Sequence, residues 1–208
     1  MQTFTWAVGS LAALRGILDD DTLVALPVGG DVVVVPTAAA FVGAAQAAVA
    51  VAEAFSGRDV RVEALMVTDR PSSSETYFVE RLAAADLVVL CDGSPLHARA
   101  VWHHSPVGEA IREAASLVAI GAVASSLGEI MIDPRGGAPT IGLGYRSGVV
   151  ISPPASDEQL GRTRSLLVGD VALVVLGENG VIQLRDDHWR VVRSDGVVVT
   201  RGLDVATL

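Results

Sequence analysis

A serine near the end of an apolar run is the residue of this sequence that most strongly suggests chemistry. The run from Leu117 to Gly128 reads LVAIGAVASSLG, and it places Ser126 between Ala124 and Gly128. A sharp turn from a parallel strand into a helix lifts a serine hydroxyl above the sheet, and it needs small residues two positions before and after that serine. The spacing therefore predicts a nucleophile elbow at Ser126. The adjacent Ser125 is a second candidate for the serine that faces the cleft, and a hydroxyl that only caps a helix is the alternative.

A serine hydroxyl attacks a carbonyl efficiently only when a base accepts its proton. No histidine lies downstream of Ser126 where a partner base is expected. His97 could serve as a relocated base, or it could be a partly exposed residue on the first turn of a helix. His103 and His104 are adjacent, and adjacent side chains on a helix point in different directions and chelate poorly. We therefore expect no metal site. The chain has four histidines: His97, His103, His104 and His188.

Composition excludes several classes of function. A net charge of −9 argues against binding to a phosphate backbone, so we expect no nucleic-acid partner. The basic residues are all arginine, and the absence of lysine excludes a Schiff-base lysine, a P-loop lysine and a Ser-Lys dyad. We expect no cofactor. A length of 208 residues without a recognisable linker predicts a single domain, 1–208.

The apolar segments of the chain do not resemble membrane spans. The segment from Ala38 to Phe55 is mostly alanine and carries Gln46 and Glu53, which suits a helix of a globular core. The first ten residues lack the basic flank of an export signal and predict a strand. A single cysteine, Cys91, agrees with a reducing compartment. We therefore expect a cytoplasmic protein with no membrane partner.

Short β-rich runs alternate with alanine-rich helical stretches, and runs such as Val32 to Val35 are apolar without alternation. Such strands are buried on both faces, as in a parallel sheet between two helix layers. The predicted fold is a three-layer α/β sandwich of the flavodoxin-like kind. The predicted strands of its sheet are Asp31–Pro36, Asp59–Val67, Asp86–Cys91 and Leu117–Val123, and helix starts are signalled by Ser72 with Glu75, by Ser105 before Pro106, and by Ser156-Asp157 before Glu158–Leu167.

The last third of the chain has shorter connections. Asn179-Gly180 and Asp195-Gly196 are strong turn signals, because both residues of each pair tolerate positive φ. An antiparallel β meander is therefore predicted at the C-terminal end. Its strands are Asp170–Leu176, Val181–Leu184, Trp189–Ser194 and Val197–Arg201.

Several motifs occur in an order typical of one protein family. They are Val34-Val35-Pro36-Thr37-Ala38, Cys91-Asp92-Gly93-Ser94-Pro95-Leu96-His97-Ala98-Arg99, the serine-containing run, the segment from Asp133 to Gly144, Gly161-Arg162, and Gly177-Glu178-Asn179-Gly180. With this order and spacing the chain resembles the cyanophycinase and dipeptidase E family. These proteins are serine peptidases with a class I glutamine-amidotransferase-like fold.

The resemblance implies roles for individual residues. Ser126 would attack a peptide carbonyl, and the main-chain N–H groups of Gly93 and Leu127 would stabilise the oxyanion. Glu178 would be the acidic member of the triad. The family histidine would fall near Ile151-Ser152-Pro153-Pro154, where this chain has two prolines.

The same resemblance implies the ligand. The candidate substrate-binding residues are Ser94, Arg135 and Arg162, and an arginine fork suits a substrate carboxylate. A structural turn anchored by Asp133 and Arg135 is the alternative for that segment. The expected substrate is a small peptide or amino-acid-like molecule of acidic or β-aspartyl character.

Three hypotheses remain at this stage. The first is a serine-type peptidase that acts on such substrates. The second is a pseudoenzyme that binds a small ligand or a partner in the former active-site cleft. The third is an amidotransferase-like domain with Cys91 as the nucleophile. The hydrophobic content of 50% and the terminal strands favour a homodimer.

Overall fold

The centre of the fold is a seven-stranded sheet, seen in a computed structural model that describes residues 4–20, 30–167, 171–185 and 188–199. The strand order is β11-β10-β1-β5-β4-β2-β3, and the five strands from β1 to β3 in this order run parallel. The strands are β1 Phe4–Val8, β2 Gly30–Val35, β3 Val60–Ala64, β4 Leu87–Leu90, β5 Ser116–Ile120, β6 Ile130–Ile132, β7 Pro139–Ile141, β8 Val149–Ser152, β9 Ala172–Leu176, β10 Val181–Arg185, β11 His188–Arg193 and β12 Val197–Val199.

Helices cover both faces of this sheet, as the apolar strands predict. The helices are α1 Leu11–Asp19, α2 Ala44–Ala54, α3 Thr76–Ala83, α4 Pro95–Trp102, α5 Pro106–Glu113 and α6 Asp157–Leu166. Buried residues of α1 and α2 pack on one face, and those of α3, α4 and α5 pack on the other. The three-layer α/β sandwich with a mostly parallel central sheet is confirmed.

The C-terminal strands divide between two sheets. The antiparallel pair β10 and β11 extends the central sheet beyond β1. In a second sheet, β9 pairs with β12 in antiparallel fashion and with β8 in parallel. The predicted turns at Asn179-Gly180 and Asp195-Gly196 therefore connect strands of different sheets. The strands of the predicted meander are present within the described residues, outside which Asp170, Thr200 and Arg201 lie, but these two turns do not form hairpins.

One predicted helix start differs from the structure. The start expected at Ser72 is a short 3₁₀ turn over Ser72–Ser74, and α3 begins only at Thr76 after Glu75. The reason is local, because the Ser72 hydroxyl donates to the carbonyl of Asp69 at 2.9 Å instead of capping α3. The starts at Ser105 and Ser156 are as predicted, and Ser156 forms a complete capping box with Gln159.

The helices of the described ranges are too short or too polar to cross a lipid bilayer.

Candidate active site

The sharp turn after the central strand β5 occurs at Gly121. The strand ends at Ile120, and Gly121 takes a φ of +64°, which favours glycine because it has no Cβ. A 3₁₀ segment over Gly121–Leu127 follows. The turn expected around Ser126 therefore lies five residues earlier in the chain. The apolar residues after Gly121 look like strand in the sequence, but they form this 3₁₀ segment.

Ser126 lies in the protein interior. Ser126 is 0% exposed, and its hydroxyl donates to the carbonyl of Val123 at 2.7 Å. Ser125 repeats the arrangement, because its hydroxyl donates to the carbonyl of Ala122 at 2.8 Å. Both hydroxyls thus satisfy carbonyls of the 3₁₀ segment, as short polar side chains commonly do. In this geometry neither hydroxyl reaches a ligand in solvent.

The space above Gly121 is filled by the carboxylate of Asp92. A Cβ at Gly121 would lie 2.3 Å from Asp92 Cγ and 2.3 Å from Asp92 Oδ1. The Asp92 side chain therefore stands where the side chain of a nucleophile on this turn would project. Asp92 comes from the loop after β4, the strand that pairs with β5 in parallel.

Two main-chain N–H groups hold that carboxylate. Asp92 Oδ1 accepts hydrogen bonds from the N–H of Gly93 at 2.7 Å and from the N–H of Ala122 at 2.8 Å. An oxyanion hole consists of such donors, about 2.7–3.1 Å from the anionic oxygen, with one donor on the residue after the nucleophile. If Gly121 is the nucleophile position, Ala122 is that residue. We call the N–H groups of Gly93 and Ala122 the N–H pair.

Gly93 is fixed by the neighbouring loop after β2. Its φ is +149°, and a Cβ there would lie 2.2 Å from the carbonyl oxygen of Ala38. The next residue, Ser94, donates its N–H to the same carbonyl at 2.8 Å. The Ser94 hydroxyl accepts the N–H of His97 at 3.2 Å and so caps α4. The predicted ligand residue Ser94 thus has a structural contact in the fold.

His97 contacts the loop after β3. Its Nε2 lies 2.8 Å from the carbonyl oxygen of Thr68. A carbonyl only accepts, so Nε2 carries the hydrogen and donates it. Its ring also contacts the exposed ring of Phe41 edge-on, with 4.5 Å between centroids. These contacts place the imidazole on the outer part of the carboxyl edge of the sheet.

Glu178 lies on the loop between β9 and β10, at the same edge of the sheet. This loop packs against the end of β1, where the N–H of Gly9 donates to the carbonyl of Gly180 at 2.9 Å. Because β1 pairs with β5 in parallel, the loop and the Gly121 turn are on the same edge. Glu178 itself is exposed. The fold therefore brings Glu178, Gly93 and Gly121 to one edge, while Ser126 is buried in the 3₁₀ segment.

The other predicted site residues lie elsewhere. Leu127 is fully buried, and its carbonyl accepts the N–H groups of Tyr145 and Arg146 at 2.9 and 3.0 Å. Arg135 and Arg162 are both exposed, on the loop between β6 and β7 and on α6.

The segment that carries Arg135 is built as a structural turn. The Arg135 N–H donates to the Asp133 carboxylate at 2.9 Å. The hydroxyl of Thr163 donates to the carbonyl of Gly137 at 2.6 Å and ties the loop to α6. The contact between Asp133 and Arg135 that is expected for a structural turn is thus present. It joins the Asp133 carboxylate to the main-chain N–H of Arg135.

Cys91 is buried between the sheet and its helices. The residue is 1% exposed, and burial is the main cause that raises the pKa of its thiol from 9.0 to about 12, with the negative charge of Asp92 adding to the shift. A thiol in that state is a poor nucleophile at neutral pH. No trio of His, Cys, Asp or Glu side chains in the described ranges could hold a metal ion.

Three residues of this site were missed by sequence reasoning: Gly121, Ala122 and Asp92. A signal existed, because Gly121 interrupts an apolar run at the position where a strand must end, and Asp92-Gly93 follows the neighbouring strand. The pairing of β4 with β5 brings the two segments together. That pairing is a tertiary contact and is not visible in the sequence.

Comparisons with known proteins give the fold a context. No protein-family model matches this chain, and no curated protein does. The chain is similar to the crystal structure of a peptidase from an acI-B1 Actinobacterium, with a TM-score of 0.75 and 20% identity over 98% of this chain and 93% of that one. It is also similar to a candidate peptidase E protein from Listeria monocytogenes EGD-e, with a TM-score of 0.67 and 13% identity over 97% and 100% of the two chains. At these identities the likeness establishes a shared fold.

Proposed function

We propose that this chain is a non-hydrolytic protein with a serine-peptidase fold, and that it binds a small ligand at the carboxyl edge of its central sheet. The observation that carries the proposal is the pair formed by Gly121 and Asp92. Gly121 occupies the turn where a nucleophile would stand, and the Asp92 carboxylate fills the space above it. The sequence resemblance to the cyanophycinase and dipeptidase E family and the structural likeness to two peptidases support the serine-peptidase fold in this proposal.

Two steps of acyl transfer lack their groups in this geometry. First, Gly121 has no side chain to attack a carbonyl, and the nearby Ser125 and Ser126 hydroxyls are engaged with main-chain carbonyls. Second, the N–H pair already holds the oxygen of Asp92. Serine proteases without their triad keep a rate about 10³–10⁴-fold above that in water, from the oxyanion hole and binding. With the hole filled, we expect even this residual rate to be lost.

Ligand binding at the same edge is supported by the architecture. In open α/β sheets, ligands bind beyond the carboxyl ends of the strands. That edge of this chain presents the exposed side chains of Asp92 and Glu178, and the apolar Phe41 and Val42 are 80% and 83% exposed on the loop after β2. Exposed apolar side chains next to polar groups are typical of binding sites.

The test compares covalent labelling, turnover and binding in the wild-type protein. A fluorophosphonate probe should give no adduct on Ser125 or Ser126 in the folded chain between neutral and alkaline pH, as read by mass spectrometry. β-Aspartyl and acidic dipeptides should be recovered intact by chromatography after long incubation. A serine adduct, or turnover that Ser126→Ala abolishes, would instead establish the peptidase hypothesis.

The binding half of the proposal has its own readout. The same dipeptides should shift amide resonances of residues at the carboxyl edge, such as Gly93 and Ala122, in a ¹⁵N-labelled sample. Arg135→Gln provides a control variant, because Arg135 is an exposed side chain on a loop tied to α6, and it should show the same shifts as the wild type. Absence of shifts at the edge for every dipeptide would remove these molecules as ligands.

A further inference from the structure

The N–H pair has the geometry of an anion-binding site, and an anionic group is already in it. The donors come from the ends of two adjacent parallel strands, Gly93 after β4 and Ala122 after β5. One oxygen of Asp92 accepts from both, at 2.7 and 2.8 Å. Converging main-chain N–H groups bind anions because their partial positive charges add at one point. The structure therefore contains a carboxylate site together with its occupant.

Main-chain features besides the Asp92 side chain hold the residues of the N–H pair. Gly93 is held against the main chain of Ala38, and Ser94 donates to the carbonyl of Ala38 at 2.8 Å. On the other side, Gly121 keeps its turn through a φ of +64°. We expect both N–H groups to keep their places when the Asp92 carboxylate is removed, and then to lack this acceptor. Unpaired donors of this kind favour a replacement acceptor.

The occupant is able to leave. Asp92 is exposed to solvent, and the side chains of exposed residues change rotamer within picoseconds to nanoseconds. An external carboxylate then competes with a tethered one, whose effective concentration is on the order of millimolar or higher. Competition of this kind lowers the apparent affinity for the external group by the fraction of time that the site is free.

We propose that the N–H pair of Gly93 and Ala122 binds the carboxylate group of an external ligand, and that Asp92 is the internal competitor that occupies the pair until it is displaced. This inference rests on the proposed function, since a site used for turnover would need the N–H pair free. It adds the chemical class of the ligand, a carboxylate, and the side chain that regulates access.

The experiment removes the competitor and titrates the smallest carboxylate. Amide resonances of ¹⁵N-labelled wild type and Asp92→Ala are followed with sodium acetate against sodium chloride at equal ionic strength. In Asp92→Ala, the amides of Gly93 and Ala122 should shift with acetate and reach saturation. The apparent affinity should be at least about tenfold tighter than in the wild type.

A matched control lies at the opposite end of the same strand. The exposed Asp86, just before β4, accepts a single main-chain N–H, that of Asp31, at 2.8 Å. Asp86→Ala frees one donor and not a pair, so acetate should leave the Asp31 amide unshifted beyond the chloride reference. An equal response of Asp86→Ala would show general ion binding and overturn the proposal.

A conservative variant keeps the proposal testable if Asp92→Ala does not fold. Asp92→Asn has nearly the same size but is neutral, so it competes less strongly and acetate should shift the pair more than in the wild type. No acetate-dependent shift of Gly93 and Ala122 in a folded variant would overturn the proposal. Peptide turnover by the wild type would overturn the proposed function, whereas the amide titration reports only on the anion site.

Discussion

Gly121 and Asp92 form a contact that constrains both positions. A Cβ at residue 121 would meet Asp92 Cγ at 2.3 Å, and Gly121 also has a φ of +64°. The two constraints are separable, because Gly144 has a φ of +66° and a Cβ added there would meet nothing within 4 Å. The absence of a side chain at residue 121 and the position of the Asp92 carboxylate are thus linked by the space that they share.

We predict that Gly121→Ala destabilises the fold more than Gly144→Ala does. The left-handed backbone costs an alanine about 1–2 kcal/mol at either position. At position 121, expelling the carboxylate from its two hydrogen bonds adds about 1–3 kcal/mol. Urea unfolding of both variants measures the difference.

The control for this prediction is the Asp92→Ala background. There the clash is absent, so the cost of Gly121→Ala should fall to that of Gly144→Ala. Equal costs of Gly121→Ala in the two backgrounds would mean that Asp92 does not occupy the space above residue 121.

The carboxyl edge of the sheet is an assembly of loops that pack by close main-chain contact. The loop after β1 touches the loop with Glu178, since a Cβ at Gly9 would lie 1.7 Å from the carbonyl oxygen of Gly177. The loops after β2 and β3 are joined by Thr37, whose hydroxyl donates to the carbonyl of Val67 at 2.5 Å and accepts the indole N–H of Trp102 at 3.1 Å. These contacts hold the loops of the carboxyl edge against one another.

We predict that Gly9→Ala separates the Glu178 loop from the end of β1. The added methyl meets a main-chain atom that cannot rotate away, so the free energy of unfolding should fall by about 1–3 kcal/mol. Hydrogen exchange should show faster exchange of the amide of residue 9, which in the wild type donates to the carbonyl of Gly180.

A glycine without close neighbours is the comparison for that variant. Gly161 lies in α6, and a methyl group there meets no atom within 4 Å. Gly161→Ala should therefore stabilise the protein by up to about 1 kcal/mol, through helix propensity. A Gly9→Ala protein as stable as the wild type would contradict the tight contact.

The fold buries the thiol of Cys91, which can titrate, and the stability of the protein therefore depends on pH. The pKa of Cys91 is about 12 in the fold and 9.0 for the unperturbed group, because burial disfavours the thiolate. An unfolded thiol ionises first as the pH rises. The stabilisation is present below pH 9.0 and is lost progressively as the pH approaches 12.

We predict a loss of about 1 kcal/mol in the free energy of unfolding between pH 8 and 10 from this group, at a limiting slope of about 1.4 kcal/mol per pH unit. Urea unfolding at several pH values measures it. Cys91→Ala is the control, because it cannot titrate, and the difference between the two stability profiles should shrink over this range. Parallel profiles would contradict the prediction. Above pH 10 the half-buried Tyr145, whose hydroxyl is buried and whose pKa is also raised by burial, adds a similar loss.

Much of the fold could be predicted from local patterns. The run Val32 to Val35 became a strand buried on both faces, and the capping residues at Ser105 and Ser156 began helices where expected. These features depend on side chains within a few residues, so the sequence contains them. The helix start at Ser72 was displaced because its hydroxyl found a competing local partner in Asp69.

The site was predicted only in part, for a physical reason. Gly93 and Glu178, to which the family resemblance gave roles, lie at one edge of the sheet, and those roles stay predictions. The turn lies at the residue that can take a φ of +64°. That residue is Gly121, which comes before the serine motif in the chain. Ser126 therefore lies in the 3₁₀ segment after the turn, which is buried from Val123 to Leu127.

By itself, the sequence determined the layered α/β architecture, because apolar periodicity, caps and turn residues act through neighbours in the chain. Only the tertiary structure decided which side chain lies at the carboxyl end of β5. Asp92 and Gly121 are far apart in sequence and meet because β4 pairs with β5. A hydrogen-bonded contact between distant residues is a consequence of strand order, and strand order is a property of the folded molecule.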